Sequence, residues 1–390
     1  MSKNDLLFVS FILCATAGLV WGRTLRVPQD YGTIRAAVNA ARANDTILIA
    51  EGTYRDTGNI NIRLTVPLTI TSVRGPMQTI IDGEFNVNGA RGFVLTSGSR
   101  IIGLTLTRMN QPAILDSAAN DVLIRNVIVE NCRSGDNQIN VGIRIHTSTN
   151  VRLENVLFRG IHSRASGGAL YIGFNSRATL VNCIFDNNRS QRYGGGVLVT
   201  NNTQADFFNC LFVSNQADSS GGGLGFSVSA SGMISFCTVV NNQTTGQASM
   251  GGGLYKGSNS NPTVINSIFW GNSSANGPSL FGENNGGTIN ISFSDVQWRN
   301  QVGAANVGQG VFEEPPMFAE GREMIYGGLN FYYLDQEDSP CIDAGSGNAR
   351  DLGVDTMFTS PDFRTDEGRA DLGYHYTFGN FYRVGVLQGY

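Results

Sequence analysis

Short apolar runs separated by single Asn or Gly residues return along this chain at nearly constant spacing, and the spacing predicts stacked coils of β-strand. Asn182-Cys183-Ile184-Phe185 recurs as Asn209-Cys210-Leu211-Phe212, as Phe236-Cys237-Thr238-Val239 and as Asn266-Ser267-Ile268-Phe269. Extending outward adds Gly103-Leu104, Asn126-Val127, Asn155-Val156 and Asn290-Ile291, with steps of 23, 29, 27, 27, 27, 30 and 24 residues. β-Branched and aromatic residues dominate each coil and no 3.6-residue period appears within one, so the coils are strands, not helix–strand repeats.

Each column of the repeat has a physical reading. The first is Asn126, Asn155, Asn182, Asn209, Asn266 and Asn290, with Gly103 and Phe236. Asn and Gly tolerate the left-handed backbone of a sharp corner, and stacked Asn amides can bond along the axis as a structural ladder. The last column (Leu106, Val129, Phe158, Phe185, Phe212, Val239, Phe269, Phe293) is large and apolar and should point inward. A second corner column is expected at Asn188, Asn215, Asn242 and Asn272, with Cys132 falling on it. A third element opens at Gly167-Gly168, Gly194-Gly195, Gly221-Gly222 and Gly251-Gly252. The chain is therefore expected to be an all-β parallel solenoid over residues 60–300, about 45 Å long at roughly 4.8 Å per coil.

Solenoid ends expose strand edges and need covering. Thr33 to Ala43 reads as an amphipathic helix with Ile34, Ala37, Val38 and Ala41 on one face, placing an N-terminal cap at 23–59. The period stops near residue 300, so 301–390 is expected to be an irregular C-terminal capping module. Before the cap, one Lys and the apolar run Leu6 to Val20 fit a secretory leader, residues 1–22, cleaved after Gly22. The run is short for a membrane anchor, and Leu13 before Cys14 is wrong for a lipoprotein site. The mature chain is expected to be bacterial, exported and without a membrane span.

Composition narrows the function. Of 390 residues 49 are Gly, 41% are hydrophobic and 15% are charged, with a net charge of −4. Such a chain folds, and beyond the leader its one Lys is Lys256, so no nucleic-acid or anionic-lipid patch is expected.

Several segments resemble the pectin-lyase-like superfamily of right-handed parallel β-helix proteins. Val27-Pro28-Gln29-Asp30-Tyr31, the Thr33 helix and Asp45 to Tyr54 look like the opening of that fold. The Gly-Gly-Ala-Leu and Phe-x-x-Asn elements are similar to repeats of chlamydial polymorphic membrane proteins. Ser339 to Gly345 and Asp371 to Tyr376 look like the closing segment of secreted bacterial β-helix proteins. The resemblance implies fold and export; it implies activity only weakly, because one fold hosts many functions. No sorting motif with a hydrophobic tail follows Tyr376, so a covalent anchor is not expected.

Enzymes of the superfamily mostly act on acidic polysaccharides, on the outer face of one strand stack. Hydrolysis needs paired carboxylates; elimination needs a base and a charge neutraliser, often calcium. On the strand after the glycines, Ile143, Leu170, Val197, Leu224 and Leu254 point in. Alternation turns out Arg144, Tyr171, Leu198, Gly225 and Tyr255, then His146, Gly173, Thr200, Ser227 and Gly257, none of them acidic. Arg144 with His146 is the one chemically suggestive pair, while His162 and His375 stand alone. Tyr171 and Tyr255, three coils apart, suggest exposed rings that stack on sugars.

Cys183, Cys210 and Cys237 fall on consecutive coils with parallel side chains, which predicts reduced core thiols. Thr105, Ile128, Leu157, Ile184, Leu211, Thr238, Ile268 and Ser292 should face out as a mostly apolar stripe, too large for a monomer to leave bare. Either the C-terminal module or a partner subunit should cover it, so an oligomer could form through Ile128, Leu157, Ile184, Leu211 and Ile268. Asp343, Asp351, Asp355, Asp362, Asp366 and Asp371 could hold calcium, but their spacing is not that of a calcium loop, and turn duties are expected. No cofactor or metal ligand set is otherwise visible. The expected function is structural, adhesive or carbohydrate-binding, toward a polysaccharide or cell-surface component; the alternative is a polysaccharide lyase, hydrolase or epimerase.

Overall fold

The structure is a computed structural model that describes residues 22–85, 89–134, 142–319 and 332–377. The leader expected at 1–22 lies outside the described residues but for Gly22. The described residues wind into a parallel solenoid with a 21-stranded, a nine-stranded and a four-stranded sheet. One coil shows the construction. Strand Arg177–Val181 bends at Asn182 (φ 54°) into Ile184–Asp186, then at Asn187 (φ 52°) into Arg189–Ser190. A further corner at Gly194 (φ 67°) leads to Val197–Thr200, and Asn201 and Asn202 turn the chain into the next coil. Gly195 is required for a different reason, since a Cβ there would lie 2.3 Å from the Gly222 carbonyl oxygen one coil on.

The helix forms at Ile34–Ala40, capped by Thr33 Oγ1 accepting from the Ala36 N–H, with Ile34, Ala37 and Val38 buried at the N-terminal end. Stacked rungs run past both boundaries drawn from the sequence. Thr24–Val27 already pairs with Thr46–Ile49, and Ser294–Asp295 pairs with Val311–Phe312.

The register departs from the sequence reading at one coil. Ile268 pairs with Asp295 and Phe269 with Val296, so Phe293 (φ 42°), not Asn290, stands at the corner after Asn266. Asn290 lies within a strand between Thr263 and Asn306, and its Oδ1 accepts from Asn306 Nδ2 at 2.9 Å. Ser292 and Phe293 accordingly give up the outward and inward positions to Asp295 and Val296. Hydrogen-bond register sets where a corner falls; residue type only makes it cheaper, by about 1–2 kcal/mol. Phe236 (φ 52°) and Phe293 carry that strain.

The continuous amide ladder is also not the column expected. In the first column Asn155 bonds Asn126 and Asn209 bonds Asn182, but Asn155 Oδ1 is buried without a partner. The unbroken file is Asn188, Asn215, Asn242 and Asn272, all buried and each one residue past a corner. Each Nδ2 of the first three donates to the next Oδ1, and each Oδ1 of the last three also accepts the backbone N–H of the Asn before it. Asn188, Asn242 and Asn272 each begin an Asn-x-Ser/Thr sequence, but their amides are buried and offer no exposed acceptor. The cysteines form a comparable file: Cys237 Sγ accepts the Cys210 N–H, and Ser267 and Ser294 hydroxyls continue the pattern. All five described cysteines are free and buried.

Two ionisable residues occupy the inward column of the nine-stranded sheet. Lys256 is fully buried, its ammonium donating to the Glu283 and Gly286 carbonyls at 2.7 and 2.5 Å. Asp116 pairs with Ile145 and is fully buried; Oδ1 accepts from Ser148 Oγ, and Oδ2 has no partner. Burial pushes its carboxyl up to about 7 from 3.8. A raised folded-state value means stability is fully present below the unfolded value and is lost as pH climbs through the folded one. We expect stability to fall by on the order of 4 kcal/mol from pH 4 to pH 8 through this group. In Asp116→Asn that slope should vanish; equal slopes in urea titrations of both proteins would refute the assignment.

Among the described residues, the C-terminal segment does not close the solenoid's end. Residues 332–377 lie along its side as a strap over the predicted apolar stripe. Ile128, Leu157, Ile184 and Leu211 pack under Tyr333, Phe358, Tyr374 and Tyr376, and Ile268 packs with Leu334, Cys341 and Leu372. The corner asparagines serve as its docking points. Asn209 exchanges two hydrogen bonds with the His375 backbone, and Asn266 exchanges two with Ser346. His375 is buried with Nε2 2.8 Å from Asp366 Oδ2 and Nδ1 2.9 Å from the Gly373 carbonyl. An oligomer through the five stripe residues would have to displace this strap.

Candidate functional site

The outer face of the nine-stranded sheet collects the chemistry. In-register pairing sets one outward file as Arg63, Val94, Leu115, Arg144, Tyr171, Leu198, Gly225, Tyr255 and Phe281. The inward neighbours Ile143, Leu170, Val197, Leu224 and Leu254 are fully buried, as alternation requires. A second outward file holds Ser117, His146, Gly173, Thr200 and Ser227.

Three arginines gather at the N-terminal half. Arg63 and Arg144 come from the strands, and Arg91 from the turn just before Phe93. Among the described residues no carboxylate forms an ion pair with any of them. Arg91 reaches Gln111 Oε1 at 3.4 Å, but the Nε atoms of Arg91 and Arg144 are buried without a partner. Burial, then the charges of Arg63 and Arg144, hold Arg91 below its ordinary value. The Arg144 guanidinium lies 5.6 Å from the Tyr171 ring centre.

His146 follows two residues on, roughly 6.5 Å along the strand. Thr147 Oγ1 is 2.9 Å from its Nδ1, and the ring of Phe174 lies 4.2 Å away, centre to centre. Burial and the nearby Arg144 charge lower its pKa, so the imidazole is neutral at pH 7.

The aromatic half differs from expectation. Tyr171 is half-buried. Tyr255 is not exposed: it is 5% accessible, and its hydroxyl donates to Glu283 Oε1 at 2.6 Å. Tyr193, 41% exposed, stacks over it with ring centres 5.9 Å apart and presents the open ring instead. The Tyr255 ring lies along its own strand over Gly257, where a Cβ would sit 3.0 Å from the tyrosine hydroxyl oxygen.

Pairing also carries the face one strand further, to Leu280–Gly282, and brings Glu283 to its end beside Tyr255. That carboxylate lies five coils from Arg144, about 24 Å at the strand spacing. The sequence reading missed Arg63, Arg91, Tyr193 and Glu283, since none occupies a counted column.

The acidic tail works internally. Asp371 accepts from the Asp343 N–H and from Thr359 Oγ1, and Asp366 accepts from the Asp371 N–H and His375. Among the described residues no group of three or more His, Cys, Asp or Glu is placed to hold a metal ion. No helix among them is long and apolar enough to cross a membrane.

Among solved structures, a pectate lyase aligns over 92% of this chain and 98% of its own, with 13% identity and a TM-score of 0.56. A rice weevil pectin methyl esterase aligns over 70% and 76%, with 18% identity and a TM-score of 0.32. A pectin methylesterase from Erwinia chrysanthemi aligns over 82% and 86%, with 12% identity and a TM-score of 0.31. No curated protein sequence matches the chain. The family model for the right-handed β-helix region matches residues 70–310, which is most of the solenoid. With the parallel coils above, that match makes this chain a member of the right-handed β-helix family.

Proposed function

We propose that this protein is an exported or surface β-helix that binds acidic polysaccharide along the outer face of its nine-stranded sheet. The observation that carries the reading is the cluster of Arg63, Arg91 and Arg144. Like charges gathered without a carboxylate, two of them with a buried unpaired Nε, are costly unless an anion completes them. Tyr171, and Tyr193 over Tyr255, add rings against which sugar faces can stack further along the same groove. The N-terminal apolar run and the repeats similar to chlamydial polymorphic membrane proteins support export and a surface setting.

The test is binding to a panel of polyuronates and neutral glycans, with and without calcium. Wild-type protein should retain polyuronate at low ionic strength and release it as salt rises. Arg144→Ala and Arg91→Ala should each weaken binding about tenfold, the worth of one charge-assisted hydrogen bond, and Tyr171→Ala should weaken it less. Equal affinity for neutral and acidic chains would refute the reading.

A second reading is elimination at the same face, favoured by the neutral imidazole of His146 beside Arg144. Arg144 would neutralise a uronate carboxylate while His146 takes the C5 proton; the C4–C5 double bond forms as the C4–O glycosidic bond breaks, and the leaving oxygen takes a proton from water. Hydrolysis has less support, because among the described residues the face holds one carboxylate, Glu283, and not a pair. Unsaturated product that disappears in His146→Gln would establish turnover; polyuronate binding with no product would leave binding alone.

A further inference from the structure

We propose that a cavity on the four-stranded sheet, between Arg133, His162 and Arg189, binds a tetrahedral oxyanion, sulfate or phosphate, free or as an ester on a larger molecule. The site shares no residue with the arginine face and does not depend on that reading.

The sheet's outward file is Arg133, His162, Arg189, Gln216 and Gln243 on successive coils, held in register by parallel pairing. The two halves of the file differ. Gln243 Nε2 donates to Gln216 Oε1 at 3.1 Å, so the neutral half satisfies itself. In the basic half, an imidazole stands between two guanidinium-bearing residues at a coil spacing of about 4.8 Å. Asp218 takes one arm of Arg189 at 3.2 Å, and Arg133 has no ion pair among the described residues. Arg164 also lines the cavity.

The cavity measures about 170 Å³. That is room for roughly five waters, and well below the ~300 Å³ at which pockets begin to enclose drug-sized ligands. It suits a tetrahedral anion with part of its hydration, not a sugar ring. Ser163 is buried on its wall; its Oγ accepts the Ala165 N–H and keeps one hydrogen to donate. Burial, followed by the charges of Arg189 and Arg133, lowers the His162 pKa. The arginines therefore favour the neutral ring, and an anion seated between them would reverse that bias.

The experiment follows the ring of His162 by NMR titration in the full chain, assigned through His162→Gln, in inorganic sulfate, inorganic phosphate or chloride at matched ionic strength. Sulfate or phosphate should raise the His162 pKa where chloride does not. Calorimetry should show the same anions binding about tenfold more weakly to Arg133→Gln and to Arg189→Gln. A sulfated oligosaccharide that displaces inorganic sulfate would make the ester the occupant; inorganic anion binding without such competition would make it the free ion. A His162 titration indifferent to sulfate and phosphate overturns the proposal; the titration itself is read in the unsubstituted chain, and His162→Gln serves only to assign the resonance.

Discussion

Asn215→Ala should cost about 3–5 kcal/mol of stability, a large loss for a single polar truncation. One side chain supplies four hydrogen bonds. Oδ1 accepts from the Asn188 N–H and from Asn188 Nδ2, while Nδ2 donates to the Phe185 carbonyl and to Asn242 Oδ1. Alanine leaves those groups buried where water does not reach, in the middle of a file with fully buried neighbours. Because each amide links two coils, the loss is shared by three coils and should lower the cooperativity of urea unfolding as well as its midpoint. Asn187→Ala is the matched control. Asn187 is the exposed corner residue beside the ladder at φ 52°, and its replacement should cost only about 1–2 kcal/mol of backbone strain. If the two variants unfold alike, the ladder is not what ties the coils together.

Gly373→Val should lift the strap from the side of the solenoid. Gly373 has φ +84°, and a Cβ there would sit 2.6 Å from Thr238 Oγ1 and 2.8 Å from Ile268 Cδ1. Neither neighbour can retreat, because Thr238 Oγ1 accepts the Tyr374 N–H and Ile268 is itself fully buried. Backbone strain and overlap together cost roughly 2–5 kcal/mol at one docking point. Detachment would bare Ile128, Leu157, Ile184, Leu211 and Ile268, an apolar column interrupted by Thr238. The expected results are rapid proteolysis between residues 332 and 377, binding of a hydrophobic dye, and association through the uncovered stripe. A variant whose strap stays resistant to protease would show that the Asn209 and Asn266 contacts hold it unaided.

The register error at Asn290 shows how the repeat can mislead. The Asn corners were legible because Asn lowers the cost of a left-handed bend, yet at two coils phenylalanine takes that bend. A reading by residue type therefore followed Asn290 to a step of 24, where the hydrogen bonds keep 27 and choose Phe293. The Tyr255 misplacement has a related cause. Alternation assigned the correct face, but accessibility depends on what lies above it, and Tyr193 reaches across from a turn two coils earlier.

Legible in the residues alone were the coil length, the inward columns up to Phe269, the glycine-led third element and the reduced thiol file, all of which repeat, together with the N-terminal helix. These follow from strand alternation and corner geometry, which act between near neighbours and leave a periodic trace. The tertiary structure alone decided three things. It chose which Asn column becomes the buried ladder, it sent the C-terminal segment along the side instead of across the end, and it brought Arg91 from a turn to Arg63 and Arg144. The last two join segments that share no period, and the first separates two columns of the same period, so burial and three-dimensional proximity, not local preference, select the partners.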